Sequence, residues 1–295
     1  MLPMDDRDGW IWLDGELVLW REAKLHLLTH GLHYASAVFE GERAYGGRVL
    51  ALEEHGRRLL RSAEIMDLAC PWDAPALDRA VEQVIAANGL GDAYVRRLIW
   101  RGSDVLAVAA PRNRIHAAVA AWPWTGAEGH LKREGIRLDV ARWRRPPPEC
   151  MPHEAKVSAA YAIGTLSRHE AIRQGFDDTL MLDWRGQVSE ASGANIFFVE
   201  GQRLVTPVPD CFLDGITRRS VIRLARQRGF EVVERAVFPG DLAKFDEAFL
   251  AGTAAEVTLI REIDGCAFRV GPVGGWLADA YAAYARRPDD LAWAA

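Results

Sequence analysis

The chain has 295 residues, 49% of them hydrophobic and 26% charged, with a formal net charge of −5. That length holds two domains or one large one, the composition is that of a globular protein, and an acidic chain without a basic aromatic stripe is not a dedicated nucleic-acid binder. No apolar run is long enough to span a membrane, the opening MLPMDDRDGW does not read as a signal peptide, and the scattered Cys70, Cys150, Cys211 and Cys266 give neither a disulfide framework nor a metal-ligand spacing, which fits reduced thiols in a cytoplasm.

Residues Trp10 to Trp20 alternate around Asp14-Gly15 and predict a hairpin. In THGLHYASAVFEGERAYGG the second half predicts a strand from about Ala37 to Tyr45, turning at Gly46-Gly47 into a short strand, RVLAL. LEEHGRRLLRSAEIMDL has helical spacing, and PWDAPALDRAVEQVIAANGL predicts a second helix with Asp73 as its N-cap and Asn88-Gly89 as its stop. Ala93–Trp100 and Arg114–Trp122 predict strands, so residues 1–122 read as a small mixed domain of largely antiparallel character. Proline, glycine and charge dominate 123–135, an interdomain linker. Residues 136–295 form the larger domain. Ile136–Arg142 predicts a strand, and RRPPPECMPHE is a loop. A long helix is predicted from Lys156, then two strands around Arg185-Gly186 with Glu190 on the second. A helix over GITRRSVIRLARQRGF, a strand over EVVERAVF, two strands around the glycine in AFLAGTAAEVTLI and a helix from about Val273 to Arg286 complete the chain.

The chemistry centres on Lys156 and Glu190, which adjoining elements deliver. A lysine amine forms a Schiff base with an aldehyde cofactor, and a carboxylate at a pyridine nitrogen keeps the ring electron-poor, so the pairing suits pyridoxal phosphate (PLP). Only Lys24, Lys132, Lys156 and Lys244 compete for the first role, because the other 32 of 36 basic residues are arginines, which stay protonated and are poor nucleophiles. Lys24, Lys132 and Lys244 have charged or polar neighbours, whereas Lys156 is flanked by Ala155 and Val157. On that stretch alone a snorkelling lysine in a helix's first turn remains the alternative. A phosphate needs donors, and three candidates offer them. Asp214-Gly215-Ile216-Thr217 opens a helix with unpartnered N–H groups; Thr253-Ala254 follows a strand; and Arg58, on a helix, can make paired hydrogen bonds. Tyr94 and Arg96 alternate on a strand, so they face one side, a hydroxyl and a guanidinium suited to a carboxylate.

Six ordered signatures lie between His30 and Thr258, inside a resemblance that covers about residues 10 to 285: HGLHYASAVFEGERAY, EEHGRRLLRSA, AYVR, the pair AK…Y with SEASGANIF, LDGITRRSVI and GTAAEVT. On these residues the chain resembles the fold-type IV PLP enzymes, and within them the branched-chain amino-acid aminotransferases. The resemblance implies a two-domain α/β fold of α+β character with PLP in the cleft between the domains, and an obligate dimer in which a partner loop closes the site. It implies Lys156 as Schiff-base lysine and proton shuttle, Glu190 at the pyridine nitrogen, Tyr161 at the ring oxygen and Leu213 on the ring face. Arg58, Gly215, Ile216, Thr217 and Thr253 would hold the phosphate. Tyr34, Phe39, Gly41, Tyr94, Arg96, Trp124, Thr253 and Ala254 would line the substrate pocket. No metal is implied.

The expected activity is transamination of leucine, isoleucine and valine with 2-oxoglutarate. A D-amino-acid or (R)-amine aminotransferase, an aminodeoxychorismate lyase and a non-catalytic PLP-binding homologue reuse the same cofactor residues. The chain departs from the family pattern at Thr125, Gly126 and Ala127, where many members carry a pocket tyrosine, at Arg97 in place of proline, at the bulkier residues after Lys156, and at Ala194 in place of glutamate. These departures bear on the substrate rather than on the cofactor chemistry.

Overall fold

The opening hairpin forms where Asp-Gly predicts it. Strands β1 (Trp10–Leu13) and β2 (Glu16–Leu19) pair with Leu13 opposite Glu16, and Asp14 and Gly15 take φ of 51° and 108°. Two left-handed central residues are what a two-residue type I′ turn needs. The computed structural model describes residues 3–124 and 133–287. Most of the expected linker, with Lys132 and the departures at Thr125, Gly126 and Ala127, lies outside those residues. The described residues divide into two units, one running to Trp124 and including Ala155–Ala159, the other holding Arg133–Glu154 and Ala160–Arg287.

The first unit adds β3 (Ala37–Tyr45), β4 (Arg48–Val49), β5 (Ala93–Arg101) and β6 (Ile115–Pro123) to the hairpin. The resulting six-stranded sheet is ordered β2-β1-β6-β5-β3-β4 and antiparallel throughout. Helix α1 (His30–Tyr34) precedes β3, while α2 (Leu52–Ile65) and α3 (Ala74–Ala87) pack on β3 and β6. Their apolar stripes bury Leu59, Ala63, Leu77, Val81 and Val84, and the sheet buries Val38, Val95 and Ile99. Asp73 caps α3 by accepting from Ala76 N at 2.8 Å, and Gly89 ends it at φ 60°. Two local readings change. The turn α1 was not predicted, and RVLAL contributes only Arg48–Val49 as strand, because Ala51 takes φ 55° and starts α2.

The second unit is built on β7 (Ile136–Arg145), β8 (Asp178–Asp183), β9 (Val188–Ala191), β10 (Asn195–Glu200), β11 (Arg203–Thr206), β12 (Glu231–Glu234), β13 (Glu247–Gly252), β14 (Glu256–Ile263) and β15 (Cys266–Ala267). They form one mixed sheet ordered β12-β11-β10-β13-β14-β7-β8-β9, with β15 on β14. Ile196, Phe198, Leu250 and Ile260 lie in its buried core, where the rings of Phe198 and Phe245 stack 4.6 Å apart. Helices α4 (Ala162–Arg173), α5 (Ile216–Gln227) and α6 (Pro272–Ala285) pack on this unit. EVVERAVF is strand only to Glu234, since Pro239 opens a 3-10 turn three residues after Ala236.

The main correction concerns Lys156. It does not begin a helix. Val157 forms an isolated antiparallel bridge with Val38, Phe39 N donates to Lys156 O at 3.1 Å, and helical turns start only at Ser158. The bridge holds the lysine's backbone extended, and α4 follows at Ala162.

Candidate active site

In the first unit, strand register collects the expected substrate residues on one sheet face. Gly41 lies opposite Arg96, Arg43 opposite Tyr94, and Tyr94 opposite Trp122, so these side chains share a side with Phe39. The Arg96 guanidinium stands 4.5 Å over the Phe39 ring, and its Nη2 lies 3.4 Å from the Tyr94 hydroxyl. Tyr94 packs at 5.1 Å from Trp122 and 5.3 Å from Trp124. Gly41 is what allows this, because a Cβ there would overlap the Tyr94 hydroxyl. Two buried donors on these residues, Arg96 Nε and Trp124 Nε1, have no acceptor among the described residues. Donors left this way suit a ligand carboxylate. Arg43, which the sequence reading missed, adds a cation over Tyr45 and Trp124 at 4.9 and 5.5 Å. Its position follows from its register opposite Tyr94. Tyr34 is different: it is exposed on α1, its ring 4.6 Å from His30.

Lys156 is fixed in the same unit. Its Nζ is 4.9 Å from the Phe39 ring centroid, and its backbone N–H donates to Ser62 Oγ at 3.0 Å. Ser62 lies one helical turn beyond Arg58 on α2, so one helix carries the lysine's anchor and the expected phosphate arginine. Glu40 takes Arg58 Nε at 2.7 Å and Nη2 at 2.8 Å. Arg97 points to the opposite face from Arg96 and pairs there with Glu42 and Asp78 at 2.6 Å each. The departure at Arg97 is therefore a buried helix-to-sheet tie and does not reach the Tyr94 and Arg96 face.

The second unit gathers the remaining cofactor candidates. Glu190 is buried on β9, with Arg145 Nη2 3.0 Å from Oε1 and Asn195 Nδ2 3.4 Å from Oε2. Asn195 also donates to Leu213 O at 3.0 Å, and Arg145 donates to Ala160 O at 2.7 Å, next to Tyr161. The carboxylate is thus linked to the segments carrying Leu213 and Tyr161. Neither Arg145 nor Asn195 was predicted. Asn195 lies inside the SEASGANIF signature, whereas Arg145 carries no sequence signal beyond being an arginine near the end of a strand. Gly215 is the N-cap of α5 and provides no side-chain cap, while Ile216 and Thr217 are buried in the helix's first turn. A Cβ at Gly215 would overlap Asn195 Oδ1. Thr217 Oγ1 lies 3.4 Å from the Tyr281 hydroxyl. Thr253 and Ala254 occupy the turn between β13 and β14, and Ala194 lies 3.1 Å from where a Cβ on Gly252 would stand. A small residue at 194 suits that approach.

The described donor set fits a phosphate-bearing pyridine aldehyde. The first unit holds a lysine whose backbone N–H is anchored, and the second a buried carboxylate held by an arginine and an amide together with an uncapped helix N-terminus; these are the three chemistries such a group requires. Among the described residues no helix is long and apolar enough to cross a membrane.

Residues 37–263 match the model of the amino-transferase class IV family. The branched-chain-amino-acid aminotransferase of Pseudomonas aeruginosa is 40% identical over 288 residues, covering 95% of this chain and 94% of its own. Two crystal structures of the T.th. branched-chain amino acid aminotransferase align with TM-score 0.90 at 38% identity, covering 96% of each chain. One is with pyridoxamine 5′-phosphate and the other is complexed with N-(5′-phosphopyridoxyl)-L-glutamate. With the family model matching most of the chain and relatives of this identity covering nearly all of it, the chain belongs to the class IV aminotransferases.

Proposed function

We propose that the protein is a PLP-dependent branched-chain amino-acid aminotransferase that moves the amino group of L-leucine, L-isoleucine or L-valine to 2-oxoglutarate. One observation carries the reading: the face that anchors Lys156 over Phe39 also presents Tyr94 and Arg96, an amine with carboxylate-binding groups beside an apolar ring. Bound PLP supplies an electron sink for the charge left when the substrate's Cα proton departs. Lys156 Nζ takes that proton and gives it back on the other side of the transfer. Glu190, given a counter-charge by Arg145, holds a proton on the pyridine nitrogen. Tyr161 meets the ring oxygen and Leu213 packs on the ring. Arg58, the N–H groups of Ile216 and Thr217, and Thr253 bind the phosphate, with Gly215 leaving the helix amides open. Tyr34, Phe39, Gly41, Tyr94, Arg96, Trp124, Thr253 and Ala254 receive the substrate, Arg96 and Tyr94 taking carboxylates and Phe39 and Trp124 the aliphatic side chain.

For this function the chain is divided as 1–122 and 136–295, joined by 123–135, and acts in the cytoplasm as a homodimer or larger homo-oligomer. Four cysteines that make no disulfide agree with a reducing compartment. A panel of L-amino, D-amino and amine donors, each assayed with 2-oxoglutarate and with pyruvate, tests the reading. Turnover is expected with L-leucine, L-isoleucine and L-valine, together with tolerance of larger L-side chains. A strict preference for D-alanine or an (R)-amine would refute it.

A further inference from the structure

Residue Glu40 lies between two residues of the substrate face, Phe39 and Gly41, and so projects from the other side of β3, where it is fully buried against α2. Its carboxylate accepts three hydrogen bonds from that helix: Arg58 Nε at 2.7 Å, Arg58 Nη2 at 2.8 Å and His55 Nδ1 at 2.7 Å. His55 and Arg58 are three residues apart, hence on one side of α2. Two parallel bonds to one carboxylate fix both the plane and the heading of a guanidinium. The third, from His55, fixes the carboxylate. Burial pulls the Glu40 carboxyl upward, but Arg58 and His55 outweigh it and hold the group well below the usual carboxylate range.

We infer that Glu40, steadied by His55, is a positioning residue that presets the Arg58 guanidinium to receive the cofactor's phosphate. The inference rests on the reading of Arg58 as a phosphate ligand. A flexible arginine would have to be ordered when the anion binds, and one already clamped does not. The opposing effect is electrostatic: a buried carboxylate beside Arg58 offsets part of the charge that a phosphate would feel. Two charge-assisted bonds in a fixed fork set direction as well as energy, and the inference is that direction governs binding here.

The test compares the dissociation constants of PLP and of pyridoxal, which lacks the phosphate, by absorbance titration of the purified protein and its variants. Glu40→Gln is expected to weaken PLP about tenfold, the size of one lost charge-assisted hydrogen bond, and to leave pyridoxal within about twofold. In an Arg58→Ala background the same change is expected to have no further effect on PLP, because Glu40 acts through Arg58. Should Glu40→Gln fail to fold, Glu40→Asp, which keeps the charge and draws the carboxylate back, is expected to show the same PLP-selective loss at smaller size. Equal weakening of PLP and pyridoxal, tighter PLP, or additive effects with Arg58→Ala would overturn the inference. If Arg58→Ala itself leaves the ratio of the two constants unchanged, the phosphate reading of Arg58 fails instead.

Discussion

Individual side chains carry the sharpest expectations. Glu190→Gln removes the negative charge that Arg145 and Asn195 hold in place, so turnover is expected to fall by about two orders of magnitude with the fold intact, measured as kcat beside the thermal midpoint. An unchanged kcat would mean that another acid serves the ring. Arg96→Ala takes a guanidinium from the face where it meets both the Phe39 ring and the Tyr94 hydroxyl. Leucine brings one carboxylate and 2-oxoglutarate two, so single-turnover rates are expected to drop further for the glutamate half-reaction than for the leucine half-reaction. Equal losses would place the second carboxylate elsewhere. Cys211 gives a third expectation. It is buried, with its sulfur and the carboxylates of Asp183 and Asp210 within 4.8 Å of one another, while Arg185 pairs with both acids. Burial, reinforced by the two carboxylates, pushes the thiol up to about 12. An unfolded cysteine ionises at about 8.5, so between about 8.5 and 12 the unfolded chain loses a proton that the folded chain keeps, and stability falls as pH rises through that window. At a pH of about 8 a thiol reagent is expected to label exposed Cys150 and to spare Cys211 until the protein is denatured. Labelling of Cys211 in the native protein would contradict its burial.

At the scale of elements, much of the fold was legible and the reasons differ from one segment to the next. The Asp14-Gly15 hairpin and the Asp73-capped helix have local causes, a turn dipeptide and a side-chain cap, and both form as predicted. The facing of Tyr94 with Arg96 follows from the two-residue period of a strand, which also sends Arg97 to the other side. The helical spacing of its neighbours predicts a helix from Lys156. The lysine is extended because Val38 and Phe39, more than a hundred residues earlier, pair with it and Val157, and no local pattern reports such a partner. Arg145 and Asn195 escaped for the same reason: their roles come from long-range contacts, with Glu190 and with the carbonyls of Ala160 and Leu213. Close approach between elements is likewise visible only in three dimensions. Gly164 lies on α4, where alanine would favour the helix by about 1 kcal/mol. Its Cβ would, however, stand 2.7 Å from the carbonyl oxygen of Ser192, two residues beyond Glu190. Backbone cannot swing aside as a flexible side chain does, and overpacking costs about 1–3 kcal/mol, so the clash is expected to outweigh the propensity. Gly164→Ala should therefore lower the thermal midpoint by a few degrees. A rise in the midpoint would show that α4 and the Ser192 strand end can separate freely.

For the whole molecule, the two units hold different shares of the expected chemistry: the amine and the carboxylate-binding face in one, the Glu190 carboxylate and the uncapped helix in the other. The first unit also presents a surface that the proposed chemistry does not use. Leu27 is 73% exposed, Leu32 68% and Val108 83%, with Leu25, Leu28, Val105 and Leu106 exposed as well. The two segments are neighbours, because the His30 ring Nε2 lies 2.9 Å from Ala107 O. Exposed apolar residues gathered on two adjoining segments suit a contact with another protein, and closed pairs of identical subunits are the commonest way to cover such a face. Tyr34, a residue expected at the substrate, is exposed on the same short helix as Leu32. A second copy seated there would therefore cover apolar surface and bring that tyrosine into an interface. Light scattering is expected to give a mass of at least twice 32.8 kDa for the wild type. With a second copy seated on this face, Val108→Arg would bury a charge at its most exposed residue, where an unpaired cation costs several kcal/mol per subunit, and is expected to shift the protein to the monomer. Because Val108 makes no part of the sheet or helices of its own unit, the variant's circular dichroism should match the wild type. Its turnover should fall if Tyr34 works only within the assembled pair. A wild type that runs as a monomer, or a Val108→Arg variant that stays assembled, would remove this face as the contact between copies.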